Sequence, residues 1–144
     1  MKEKYNVVET ATQAGHFRVF LQALKAAGLK ETLRETGPYT ILAPVDEAFV
    51  KIPKAKLEDL FKTANRESLR LLLRNHIVVG NLLSTDLQQH DEIRSMKGEE
   101  LRIESRAGLW INEARVVTPD LKASNGVVHG LDTVLMSQTQ GAAV

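Results

Sequence analysis

The sequence predicts an α+β fold, and its two halves carry different periodicities. Up to residue 76, apart from one short run at Tyr39–Ala43, the apolar residues recur every three to four positions, as on the buried face of a helix. From residue 77 onward they alternate or cluster in short runs, as in strands. The elements are thus segregated rather than alternating as βαβ units, which favours an antiparallel or mixed sheet with helices gathered to one side. A chain of 144 residues with 43% hydrophobic and 26% charged residues is long enough for one core without a metal or disulfide staple.

In the first half, Phe17, Phe20, Leu21 and Leu24 share one face of a helix spanning His16–Ala27, and Gly28 supplies its left-handed stop. A helical turn over Leu29–Thr36 closes at Gly37-Pro38. Tyr39–Ala43 then reads as a buried strand ended by Pro44, with Asp46-Glu47 opening the next helix at its positive end. Lys54–Lys62 forms another short helix, with Leu57, Leu60 and Phe61 inward. Asn65 is positioned to cap a helix carrying Leu69, Leu72, Leu73 and His76 on one face and Arg66, Arg70 and Arg74 on the other. That helix runs into a strand at Ile77–Val79, ended by Gly80.

In the second half, Asp91–Met96 and Leu101–Ser105 make a hairpin around Lys97-Gly98. Leu101 and Ile103 alternate with Arg102, Glu104 and Arg106, as a half-wet sheet requires. Leu109–Asn112 and Arg115–Val117 form a further pair. Gly126–His129 and Leu131–Met136 are both strand-like. Residues 138–144 are small and polar and are expected to form a flexible tail behind a domain of residues 1–137.

Composition narrows function. Nineteen Lys+Arg against eighteen Asp+Glu give a net charge of +1, without the basic excess a nucleic-acid binder uses. Trp110 lacks the neighbouring aromatics of a single-strand platform. The absence of cysteine excludes disulfides, thiolate metal sites and a cysteine nucleophile. No run approaches the roughly 20 apolar residues of a transmembrane helix, and the start of this chain carries no signal-peptide pattern.

Catalytic machinery has no foothold in the pattern. His16, His76, His90 and His129 stand at no metal-ligand spacing, and no phosphate loop or nucleophile elbow occurs. The pairs Asp46-Glu47, Asp91-Glu92 and Glu99-Glu100 are adjacent in sequence and so point apart. No catalytic residue, metal ligand or cofactor is expected. His76 and His129 read as hydrogen-bonded core histidines. The Arg66, Arg70 and Arg74 ridge reads either as a solvated helix face, partly neutralised by Glu67, or as a docking surface for an acidic protein or sulfated polysaccharide.

Three segments resemble the signature blocks of the fasciclin (FAS1) domain family: Tyr39-Thr-Ile-Leu-Ala-Pro-Val-Asp-Glu-Ala-Phe49, Leu71-Leu-Leu-Arg-Asn-His-Ile-Val-Val-Gly80, and Ala123-Ser-Asn-Gly-Val-Val-His-Gly-Leu-Asp-Thr-Val-Leu135. The resemblance implies helices packed along one side of a wedge-like β-sheet assembly. It also implies a non-enzymatic, extracytoplasmic module that meets a protein or polysaccharide at a cell surface or matrix; some relatives instead carry a small apolar ligand such as a lipid or carotenoid.

The chain departs from the family pattern in two places. Val45 stands where the family has a Ser or Thr helix cap, leaving Asp46 as the expected cap. Asn75-His76 stands where the family has a Tyr-His pair, so the tyrosine linked with integrin-type adhesion in animal relatives is missing. A second adhesion-associated family motif falls on Thr118-Pro119-Asp120-Leu121-Lys122. Its Pro119, Asp120 and Leu121 match, and the same residues read locally as a turn with Leu121 inward; these three, with Asn75, His76, Arg66, Arg70 and Arg74, are the candidate partner-binding residues.

Overall fold

The computed structural model describes residues 5–34 and 37–135. The expected tail at 138–144, the end of the helical turn at 35–36 and the far end of the last expected strand at 136 lie outside the described residues.

Among the described residues, six α-helices precede or flank seven strands. The chain opens with a helix that the periodicity did not reveal, α1 (Val7–Ala14), followed by α2 (Arg18–Ala27). The start of α1 is set by a reciprocal cap: Asn6 Oδ1 accepts from the Glu9 N–H at 2.8 Å, and Glu9 Oε1 accepts from the Asn6 N–H at 3.1 Å. Gly28, at φ 75°, ends α2 in the left-handed conformation and donates to the carbonyls of Leu24 and Lys25. After a 3₁₀ turn at Thr32–Arg34 come β1 (Tyr39–Pro44), α3 (Asp46–Val50), α4 (Lys54–Leu60) and α5 (Arg66–Arg74). The second half adds β2 (Ile77–Val79), a one-turn α6 (Ser84–Leu87), β3 (Glu92–Arg94), β4 (Glu100–Ser105), β5 (Leu109–Ile111), β6 (Ala114–Ala123) and β7 (Gly126–Leu131).

The sheet order is β2-β1-β7-β6-β5-β4-β3. Every neighbouring pair is antiparallel except β1 and β7, which run parallel from Tyr39↔Gly126 to Pro44↔Leu131. The sheet is therefore mixed, and its first and last strands lie side by side. The three blocks quoted above become three adjacent strands, β2, β1 and β7, which accounts for their shared prominence.

Strand β1 is buried on both faces, and its alternation divides the core in two. Ile41 and Ala43 join Phe17, Phe20, Leu24, Leu69, Leu72 and Leu73 beneath the helices. Leu42 points the other way, to Val78, Ile93, Leu101, Ile103, Ile111 and Leu131. The second cluster draws from both ends of the sheet, so the sheet curls around it, while α1–α5 pack on the first cluster and α6 adds Leu87 to the second. This is the α+β arrangement that the element order predicts.

Four local expectations are corrected. Asn65 begins α5 without a side-chain cap; its amide donates to the Asp59 carbonyl instead. Asp46 does not cap α3; its carboxylate accepts from the Val19 N–H at 2.8 Å and so serves the start of α2. Gly126–His129 and Leu131–Met136 are not two strands, because β7 is continuous through Gly130 and ends at Leu131. Finally, the turn read at Pro119-Asp120 is an irregularity inside the ten-residue strand β6.

Candidate functional site

The candidate residues occupy three places: the end of α5, the break in β6 and the outer face of α5. At the first, Asn75 and His76 are 0% and 1% exposed. Two consecutive side chains there hold both backbone groups of one distant residue. The Asn75 amide donates to the Leu135 carbonyl at 3.2 Å, and the Leu135 N–H donates to His76 Nε2 at 2.8 Å. Asn75 Oδ1 accepts from Ser95 Oγ at 3.0 Å, tying in the hairpin between β3 and β4.

The other histidine nitrogen completes the arrangement. His76 Nδ1 lies 2.8 Å from the Leu72 carbonyl, so with Nε2 accepting, Nδ1 carries the proton and the ring is neutral. Burial lowers its pKa from 6.5 to about 4, against a smaller opposing pull from the Leu72 carbonyl. The pair is a clamp on the segment after β7, with no side-chain surface to offer a partner.

At the second place, pairing between β6 and β7 breaks between Thr118↔Gly130 and Leu121↔Val128. Pro119 has no N–H to give a ladder, and Asp120 sits at φ 59°, a left-handed conformation that Asp tolerates better than most residues. The Asp120 carboxylate accepts from both the N–H (2.7 Å) and the hydroxyl of Ser84, and its own N–H donates to His129 Nδ1 at 3.1 Å. His129 Nε2 lies 2.8 Å from the Leu82 carbonyl, so this nitrogen bears the proton.

Burial lowers the His129 pKa, opposed by the Leu82 carbonyl and the Asp120 carboxylate. Burial alone would raise the Asp120 pKa, but the two Ser84 hydrogen bonds, with the nearby charge of Lys122, hold it below the usual value. Leu121 packs on the helical core, as expected, while Val117, Pro119 and Lys122 remain exposed. Sequence reading supplied Asp120 but not Ser84, its partner 36 positions away.

At the third place, the arginine ridge is partly tied down. Arg70 Nε donates to the Ala27 carbonyl at 2.7 Å, and its guanidinium pairs with Glu67 at 3.3 Å. Arg66 lies against Gly28: a Cβ built on that glycine would meet its guanidinium at 2.7 Å. Two of the three arginines therefore sit at the negative C-terminal end of α2, where positive charge is favoured. Arg74 is partly buried.

Strand pairing also unites carboxylates that are separate in sequence. Glu92 and Glu100 hydrogen-bond between β3 and β4, raising the Glu92 pKa, and nearby Asp91 adds to the shift. Both are exposed, and Glu100 also pairs with Arg94 at 3.4 Å. Among the described residues no cluster of His, Asp and Glu is arranged to hold a metal ion. None of the helices described is long and apolar enough to cross a membrane.

These features, with α1–α5 packed on one side of a mixed sheet and His76 and His129 locked to backbone, are those of a fasciclin-type domain. A sequence profile of the fasciclin domain matches residues 15–137, and the chain belongs to this family. It is 33% identical over 131 residues to the uncharacterized protein sll1735 of Synechocystis, covering 91% of this chain and 97% of that one. It is 32% identical over 130 residues to the pig transforming growth factor-beta-induced protein ig-h3, covering 90% of this chain but 19% of that protein. Among solved structures, a FAS1 domain pair from the insect cell adhesion molecule fasciclin I superimposes with a TM-score of 0.81 at 17% identity, covering 95% of this chain and 52% of that one.

Proposed function

We propose that this domain is a non-enzymatic, extracytoplasmic binding module that meets a protein or polysaccharide at a cell surface or matrix. The observation that carries the reading is the inward commitment of its polar chemistry. His76, His129, Asn75 and Asp120 each spend their hydrogen-bonding capacity on backbone or on a serine. None is left as an aimed base, nucleophile or ligand. Membership of the fasciclin family, and the similarity to a domain pair from an insect cell adhesion molecule, support a role in recognition.

Two outward surfaces are the candidates for contact. One is the β6 irregularity, where Asp120 and Ser84 hold Pro119 outward between exposed Val117 and Lys122. The other is the α5 ridge of Arg66, Arg70 and Arg74. Asn75 and His76 act behind these surfaces, through the fold. The test is binding of the purified domain to cell surfaces and to an immobilised sulfated polysaccharide. Asp120→Ala is expected to weaken the first interaction, and reversal of the three arginines the second. Binding unchanged in both variants refutes both surfaces.

A second reading, carriage of a small apolar ligand, is favoured by one feature. Phe20, Phe49, Leu57, Phe61, Leu72 and their neighbours enclose an apolar gap beneath α4, though its volume is only about 10 Å3, the space of about one water molecule. A bound lipid or carotenoid therefore requires α4 to move. Native mass spectrometry of the purified protein decides this reading: a ligand-free mass and a colourless solution count against it.

A further inference from the structure

We propose that the recess between α2, the end of α4 and the start of α5 binds a single-chain anionic amphiphile, an acyl chain ended by a carboxylate or phosphate. This deepens the carriage reading by assigning a place and a ligand class. The recess has a volume of about 210 Å3 and is lined by Ala26, Phe61, Lys62, Arg66 and Leu69. Its floor is apolar and its rim is cationic, which suits a ligand with an apolar body and an anionic head. The volume falls below the roughly 300–1,000 Å3 of ordinary small-molecule pockets, which limits the occupant to one slender chain.

Phe61 and Leu69 also wall the apolar gap beneath α4, so the recess and the gap share one partition. Phe61 is only half-buried at the end of α4, and its displacement joins the two spaces along the path an acyl tail would take. On the rim, Arg66 has no carboxylate within salt-bridge distance among the described residues. Lys62 has only the exposed partner Asp59, at 2.9 Å, and a solvated pair of this kind yields readily to a competing anion. A polysaccharide would engage Lys62 and Arg66 at the rim but leave Phe61 and Leu69 unmatched, whereas an acyl chain ended by an anion meets both, so the recess itself favours the amphiphile.

The experiment is calorimetric titration of the full chain with dodecanoate and with dodecyl phosphate, using dodecyltrimethylammonium as the cationic control. The two anionic heads distinguish a fatty acid from a phosphate-bearing lipid. One-to-one binding of either anion and not of the cation is expected. Arg66→Glu should weaken it about tenfold or more, the usual worth of a hydrogen bond to a charged group. Ala26→Trp, at an exposed position of α2, should fill the recess and abolish binding while leaving the melting temperature unchanged.

No binding of either anion, equal binding of the cation, or full binding in both variants overturns the proposal. If a neutral lipid or carotenoid copurifies while dodecanoate and dodecyl phosphate do not bind, carriage stands and this site falls. Loss of polysaccharide binding in the arginine reversal bears on the adhesion surface alone, because neither anionic amphiphile is present in that assay.

Discussion

Acidification should destabilise the domain through His76 in a way that can be isolated. In the folded protein the ring is neutral, donating from Nδ1 to Leu72 and accepting at Nε2 from the Leu135 N–H. Protonation of Nε2 would set one N–H against another and leave a charge buried among Phe20, Leu72 and Leu73. The folded pKa of about 4 lies below the 6.5 of an unperturbed histidine, so between these values the unfolded chain takes up a proton that the folded chain refuses. The stabilisation is fully present above pH 6.5 and is lost as pH falls toward 4.

At about 1.4 kcal/mol per pH unit, this loss comes to about 3 kcal/mol. The lowered pKa of His129 acts with the same sign. Urea unfolding of the wild type and of His76→Gln, measured from pH 7.5 to pH 4, separates the His76 contribution. The wild-type advantage should shrink by about 3 kcal/mol across that window. An advantage that stays constant with pH, or a His76 titration near 6.5 by NMR, would refute the reasoning.

Other perturbations bear on the same framework. Gly126→Ala would place a Cβ 1.8 Å from the Tyr39 carbonyl oxygen, where the parallel strands β1 and β7 meet; a loss of about 3 kcal/mol or more, or failure to fold, should appear in thermal melts. Asn125→Ala removes the acceptor for the Val7 N–H and the donor to the Leu33 carbonyl, both buried, and should cost about 2–4 kcal/mol in urea unfolding; a cost under about 1 kcal/mol would mean that water takes over both bonds. Asn75→Tyr forces a larger ring into a fully buried site and breaks the links to Leu135 and Ser95. It should lower stability by about 2 kcal/mol or more without creating adhesion, and a stable variant with new cell binding would contradict the clamp.

Much of this architecture is legible in the sequence wherever local chemistry and tertiary packing agree. The spacing of Phe17, Phe20 and Leu24 gives α2 because the same face that suits a helix is the face that is buried. The run Tyr39–Ala43 reads as a strand because both its faces are covered. The helix α1 has a weaker apolar stripe, Val7, Val8 and Ala11, yet Asn6 and Glu9 at capping-box spacing carried the signal that could have found it.

Where reading failed, a distant partner outcompeted a local one. Asp46 is placed to serve its own helix and instead serves α2; Asn65 is placed to cap and instead reaches back to Asp59. Pro119-Asp120 carries strong turn chemistry, but pairing on both sides of it keeps the chain in β6. At the candidate site, burial of His76 follows from its spacing after Leu69, Leu72 and Leu73, although α5 ends at Arg74 and His76 lies in the turn beyond it. The partnership with Leu135 does not follow from spacing, because it spans 59 positions.

The central claim is that Asn75 and His76 act through the fold while recognition belongs to outward surfaces. Titration of the isotope-labelled domain with a sulfated polysaccharide, followed residue by residue by NMR, tests it most directly. The account predicts that shifts concentrate at exposed Arg66 and part-buried Arg70 and Arg74, or at exposed Val117, Pro119 and Lys122, while the side-chain signals of Asn75 and His76 stay fixed. Direct intermolecular contacts to Asn75 or His76, with the outward surfaces silent, would contradict it.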